Sequence, residues 1–313
     1  MSGSLVAFVV RRLVWTIPVI LLVIFLTFLL MRQIEGNPFR QTERNVPESI
    51  QRNLERKFNL DKPWYVQYAL YTKNVFTFDL GPSLVLRNRT VNDIVRTHFP
   101  VSLELGGLAF LFAVVVGIPL GVVAALKPNS YIDYFAMFFS NVGFAIPSFL
   151  VATLMIYFFA LEWDLGFPTS GWTTWQSKVL PVIALGLAPM AYFARLVRGT
   201  MLETFQQDYI RTAQAKGLRR RRVVGVHVLR NSLIPVVTAA GPLLGYLITG
   251  SFVIEQIFAI PGIGRYYVTA VSARDYSVVM GLTVLLSILI ILANLVVDVL
   301  YAFLDPRTRE ART

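Results

Sequence analysis

Charge is absent from this chain over intervals of membrane-crossing length, and that feature limits the fold more than any motif does. Nineteen residues between Arg12 and Arg32 lack Asp, Glu, Lys and Arg; twenty-two do so between Glu104 and Lys127, twenty-eight between Asp133 and Glu162, twenty-four between Arg230 and Glu255, and twenty-two between Asp275 and Asp298. A helix needs about 20 apolar residues to cross a bilayer, so each interval is long enough to span. A sixth, between Lys178 and Arg195, holds sixteen residues reading VLPVIALGLAPMAYFA and is expected to span too. Hydrocarbon offers no partner to a free backbone amide, so only helices or closed barrels cross it. Unbroken apolar runs lack the two-residue alternation of a barrel. The expected fold class is therefore an all-α polytopic membrane protein with six transmembrane helices.

The first span begins with a basic pair, as a secretory signal does. Its apolar core is longer than a signal's, and no small-x-small cleavage site follows, so it reads as a retained anchor. Six spans place both termini and the 127–133 and 195–230 loops on one side. The 195–230 loop carries nine basic and two acidic residues, whereas the 162–178 and 255–275 loops opposite sum to −1 and 0. Basic short loops stay in the cytoplasm, which puts both termini there. The expected organisation is residues 1–32 as N-terminus and first span, 33–99 as an extracytoplasmic segment, 100–302 as the membrane core, and 303–313 as a cytoplasmic tail. Two stretches of the second segment, VPESIQRNLERKFNL and KPWYVQYALYTKNVFTF, have helix-like apolar spacing.

Within the spans, Gly117 and Gly121, and Gly241 and Gly245, are spaced four apart, which lets helix backbones approach closely where lipid supplies little hydrophobic drive. Pro119, Pro147, Pro189 and Pro242 point to kinked or broken helices. Glu104, Glu255 and Asp298 lie at span margins and are candidates for a proton or ion pathway, set against an ordinary interfacial role. A proton-coupled secondary carrier built on them stays open as a second class, disfavoured by the lack of an evident internal repeat. No nucleophile elbow, zinc helix or phosphate-binding loop is present, and there is no cysteine. No catalytic residue, metal or cofactor is expected on this chain, and any energy source must lie on another.

The interruption with the largest basic excess contains YIRTAQAKGLRRRRVVGVHVLRNSLIP. Its composition predicts a helix ending near Ala215, a break at Gly217, and a second helix from Arg219 to Leu229. Ala213, Ala215 and Gly217 would leave a shallow face that a partner approaches closely. Arg219, Arg220, Arg221 and Arg222 fix topology and attract anionic lipid. Nucleic acid is disfavoured, because thirty-six residues between two spans leave no room for a groove-reading module.

The segments RTAQAKG and HVLRNSLIPVVT resemble the coupling loop of ABC-importer permeases, in the form that loop takes in the peptide and nickel branch. LDKPWYVQY, FDLGPSL and VIEQIFAIPGIGRYYVTAVSARDYSVVMG extend the resemblance to the B-type subunit of that branch, over nearly the whole chain. The resemblance implies a type I importer fold and a permease for di- or oligopeptides, with nickel or another small solute as the alternative cargo. It also implies a second permease subunit, two ATPase subunits that bind the ATP, an extracytoplasmic substrate-binding protein, and residence in a prokaryotic cell membrane. The coupling loop would then comprise Arg211, Thr212, Ala213, Ala215, Lys216, Gly217, Leu218 and the four arginines, with a short helix near Ala213–Arg222 inserted into the ATPase.

Overall fold

A computed structural model of the chain describes residues 2–33, 59, 61–86, 88–248 and 252–304, with side chains from Val10 to Val296 among them. Regular structure among these residues is helical apart from one isolated antiparallel bridge between Pro82 and Thr90. The helices are α1 (Ser2–Gln33), α2 (Trp64–Phe76), α3 (Val91–Leu126), α4 (Tyr131–Ala145), α5 (Ser148–Met155), α6 (Trp175–Phe205), α7 (Asp208–Ala215), α8 (Arg230–Ile248), α9 (Phe252–Ile257), α10 (Ile263–Ser272) and α11 (Tyr276–Leu304). Wider π-type turns extend α5 through Ile156–Glu162, and α8 is entered through Arg220–Arg222 and the π-type stretch Val223–Leu229.

Five stretches are long and apolar enough to cross a membrane: Val10–Gln33, Val91–Leu126, Trp175–Phe205, Arg220–Ile257 and Tyr276–Val296. The third apolar interval of the sequence is not one straight helix. It is α4 and α5 with a bend of 103° between them, a sixth span if the pair is taken as one. The cause is local. Pro147 cannot donate to the ladder and pushes the residue before it out of the helical region, and Ile146 accordingly sits at φ −81°, ψ 126°. The expected helix within 64–76 is α2, while VPESIQRNLERKFNL lies outside the described residues except for Asn59.

The chain divides into two compact units. The first combines Met1–Ser102 with Pro261–Ile291. Here α2 lies along α1, with Tyr68 donating its hydroxyl to the Leu21 carbonyl at 3.3 Å and meeting Phe25 edge-on. Ile24, Val75 and Val284 form one apolar cluster; Val91, Ile94, Ile263, Val278 and Leu282 anchor another. The Tyr71 phenol is buried without a hydrogen-bond partner, and burial pushes its pKa well above the ordinary tyrosine range. Asp275 caps α11 by accepting from the Val278 amide at 3.3 Å. The same carboxylate accepts from the Ser83 hydroxyl and from the amides of Leu84 and Val85, which pins the loop before α3.

The second unit combines Leu103–Ile260 with Leu292–Thr313. Its core is the seam of α3 and α6. Ala109, Ala113, Gly117, Gly121 and Ala125 recur every four residues on α3, giving a stripe with almost no side-chain bulk. A Cβ on Gly117 would lie 2.5 Å from the Met190 carbonyl oxygen, and one on Gly121 would lie 2.4 Å from that of Ala194. Gly106, not singled out by its spacing, makes an equally close approach to Leu247 on α8. Gly241 and Gly245 are both buried. A Thr174–Ser177 capping box starts α6 by satisfying two otherwise orphaned donors.

Candidate functional site

The stretch from Arg195 to Arg230 is built outward from the core of the second unit. The last turns of α6 place Val197 and Met201 in that core, and both are fully buried. Thr200, Thr204 and Ser232 knit α6 to the start of α8. Ser232 donates to Thr204 Oγ1 at 3.0 Å or to the Val228 carbonyl at 2.8 Å, and Thr200 Oγ1 lies 3.0 Å from the Ser232 carbonyl. A small helix mounted on this stem has a firm base.

That helix is α7. Ile210 and Ala213, three residues apart, turn inward onto the core, with Ala213 only 6% exposed. Full burial of an isoleucine contributes about 1.5–3 kcal/mol, enough to hold a two-turn helix that would not form alone. A hydrogen bond from Asn231 Nδ2 to the Tyr209 hydroxyl, at 3.0 Å, ties it to α8. Asp208, Arg211, Thr212, Gln214 and Ala215 are left facing outward. Asp208 and Arg211 sit 3.8 Å apart, both well exposed, so their pairing is worth little.

Gly217 ends α7. Its φ is +73°, its amide donates to the Gln214 carbonyl at 2.9 Å, and the Leu218 amide reaches the Ala213 carbonyl at 3.4 Å. Those two bonds with an apolar contact from Leu218 constitute a Schellman closure, which demands a left-handed residue at its centre. Nothing among the described residues lies within 4 Å of where a Cβ at Gly217 would be. The glycine is thus required here by backbone conformation and not by crowding among these residues.

The four arginines follow. Arg219 is extended at φ −58°, ψ 136°, Arg220–Arg222 form one helical turn, and all four are exposed with no ion pair among the described residues. The short helix is therefore Asp208–Ala215, earlier than the Ala213–Arg222 expected from the sequence. The three small residues separate as well: Ala213 packs inward, and Ala215 and Gly217 face out. The outer surface of this element is a two-turn helix with a bare C-terminal end, followed by a block of positive charge.

Of the three acidic candidates, Glu104 and Glu255 have described side chains. Glu104 is paired: Lys178 Nζ lies 2.5 Å from its Oε1, and Trp172 Nε1 donates to Oε2 at 2.8 Å. Lys178 is 74 positions away, which is why local sequence gave no sign of it. Glu255 is fully buried in α9, and the Asp298 side chain lies outside the described residues.

Sequence reading missed the polar seam between α4 and α6. Arg198 grips Asp133 through Nε at 2.5 Å and Nη2 at 2.7 Å, a bidentate pair on a carboxylate that is almost wholly buried. Asp133 also accepts from the Asn129 amide at 3.0 Å, so the pair fixes the turn into α4. One turn back, Arg195 stacks on Phe144 with its guanidinium carbon 4.1 Å from the ring centre, and Nη1 donates to Asn141 Oδ1 at 3.4 Å.

Several helices long and apolar enough to cross a membrane, a sharply bent helix pair and a short helix displayed on a buried stem describe a polytopic membrane protein. Residues 117–310 match the family described as binding-protein-dependent transport system inner membrane component, and the chain belongs to it. It is 48% identical over 290 residues to the dipeptide transport system permease protein DppB of Bacillus subtilis, covering 93% of this chain and 94% of that one. Identity to the oligopeptide transport system permease protein OppB of Haemophilus influenzae is 43% over 305 residues, covering 96% and 99%. Among solved structures, a chain of the inward-facing MetNI methionine ABC transporter superposes with a TM-score of 0.56 at 20% identity, covering 68% of this chain and 96% of that one. The fold is that of a type I ABC importer permease. The chain is a multi-pass inner-membrane component of an ABC transporter and not an enzyme; ATP hydrolysis belongs to a separate subunit.

Proposed function

We propose that this chain forms part of the path by which an ATP-driven importer moves di- or oligopeptides, and that α7 with the turn after it is where the ATPase docks. The peptide relatives, similar over almost the full chain, support the cargo. The docking role rests on the outward face of α7: Ile210 and Ala213 lock the helix to the stem, while Arg211, Thr212 and Ala215 face away from the chain's own core. In this reading the element and both termini are cytoplasmic, which the excess of basic residues in the loop supports. A second permease subunit, two ATPases carrying the ATP, and an extracytoplasmic binding protein complete the assembly, with no cofactor held by this chain. Residues 33–99 form the extracytoplasmic segment, 100–302 the transport core, and 303–313 a cytoplasmic tail.

Ala215→Trp tests the docking face, because that position is exposed and the change disturbs nothing inside the chain. The variant is expected to reach the membrane at normal levels and to lose peptide uptake in vesicles containing the whole importer. Uptake at the unaltered rate would exclude this face as the docking surface.

A further inference from the structure

Arg195 stands inside a membrane-crossing helix without a counter-charge among the described residues. It lies ten residues before the end of α6 at Phe205, about 15 Å along the helix axis. Arg198, one turn further on, is neutralised by Asp133, and Lys178 by Glu104. No carboxylate among the described residues pairs with Arg195, and its Nε is buried with no hydrogen-bond partner. An ionised side chain in a span is costly and marks a site for a charge to be met.

The guanidinium is also held in place. Phe144 covers one face, Asn141 takes Nη1, and the Nη2 edge has no partner among the described residues. Phe144 is the second-last residue of α4, directly before the 103° break at Ile146 and Pro147. Broken helices are where transporters of several folds place their cargo sites. On the same helix, Ser140 is fully buried with a hydroxyl that lacks a partner among the described residues, a second unsatisfied polar group beside that of Arg195. A planar guanidinium fixed on one face with an edge open fits a carboxylate, which it binds by two parallel hydrogen bonds.

We propose that Arg195 is the point on the transport route that takes the terminal carboxylate of the peptide cargo. The inference rests on the reading above that the cargo is a peptide. It is tested with the whole importer reconstituted in vesicles, with trialanine and trialanine amide each supplied on saturated binding protein. The vesicles are made with and without anionic lipid. The native importer should move the acid about tenfold faster than the amide, the size expected of a charge-assisted hydrogen-bonded contact. Arg195→Gln should bring the acid down to the rate of the amide and leave the amide unchanged; Arg195→Lys should fall between.

Equal loss for both peptides would make Arg195 a packing residue and overturn the proposal, as would an unchanged ratio. An effect of Arg195→Gln seen only with anionic lipid would assign the guanidinium to a headgroup phosphate instead. A native importer that moves neither peptide would refute the peptide reading itself, a result visible without any variant.

Discussion

Replacing Gly217 separates two reasons for a glycine at the end of α7. One is conformation: at φ +73° any residue with a Cβ is strained, by about 1–2 kcal/mol. The other is space, and among the described residues that reason is absent, since none of them lies within 4 Å of the added atom. Gly217→Ala is therefore expected to cost the closure about 1–2 kcal/mol and no more, a factor of about 5–30 in the local opening equilibrium. Amide hydrogen exchange reads this directly. Protection should fall by that factor at the amides of residues 217 and 218, which bond to Gln214 and Ala213. The α6 amides around Val197 and Met201 should stay unchanged. Gly217→Asn should lose less, because asparagine enters the left-handed region more readily. Unchanged protection in the alanine variant would refute the conformational account. If Gly217→Asn keeps its protection yet loses ATP-driven uptake, the requirement for a bare backbone comes from a docked partner. A tryptophan at 217 would mix both causes, which is why Ala215→Trp is the better probe of the face.

Two further outcomes follow from the packing. Gly117→Val forces side-chain atoms against the Met190 carbonyl, already 2.5 Å from a Cβ, and should destabilise the detergent-solubilised chain by about 1–3 kcal/mol, read as a lowered melting midpoint; Gly107→Val, with open space around it, should not. Asp133→Ala strands Arg198 at the α4–α6 seam and should cost about 3–5 kcal/mol, while Asp133→Ala with Arg198→Met should recover most of it; simple additivity in that cycle would show that the pair is not coupled.

The membrane crossings were legible because a single property, freedom from charge over a fixed length, is written locally in the chain. The helix ends were not. The interval from Glu104 to Lys127 locates α3 but not its start at Val91, since a helix is free to continue past hydrocarbon into water. Interval length also undersized α6, where sixteen uncharged residues mark a helix running from Trp175 to Phe205. The glycine pair at 117 and 121 was visible as spacing, but its partners on α6 lie some seventy residues along the chain and leave no trace near it. The inward turn of Ala213 was within reach. Ile210, three residues earlier, is the lone bulky apolar side chain of α7 besides Tyr209 and sets which face is buried.

The same blind spot governs the charges. Treating every charged residue as the edge of a span works only where charge means water. On α3, α4 and α6 between residues 104 and 198 there are five charged side chains, and all but Arg198 were read as boundaries. Four of them cancel in two pairs whose members are 74 and 65 residues apart, so those charges belong inside the fold and cost little there. Pairing over such distances is a tertiary property that no local window contains. Once the two pairs are removed, the charge left over on these three helices is Arg195, and a guanidinium beside a broken helix is a place where a mobile anion has something to gain.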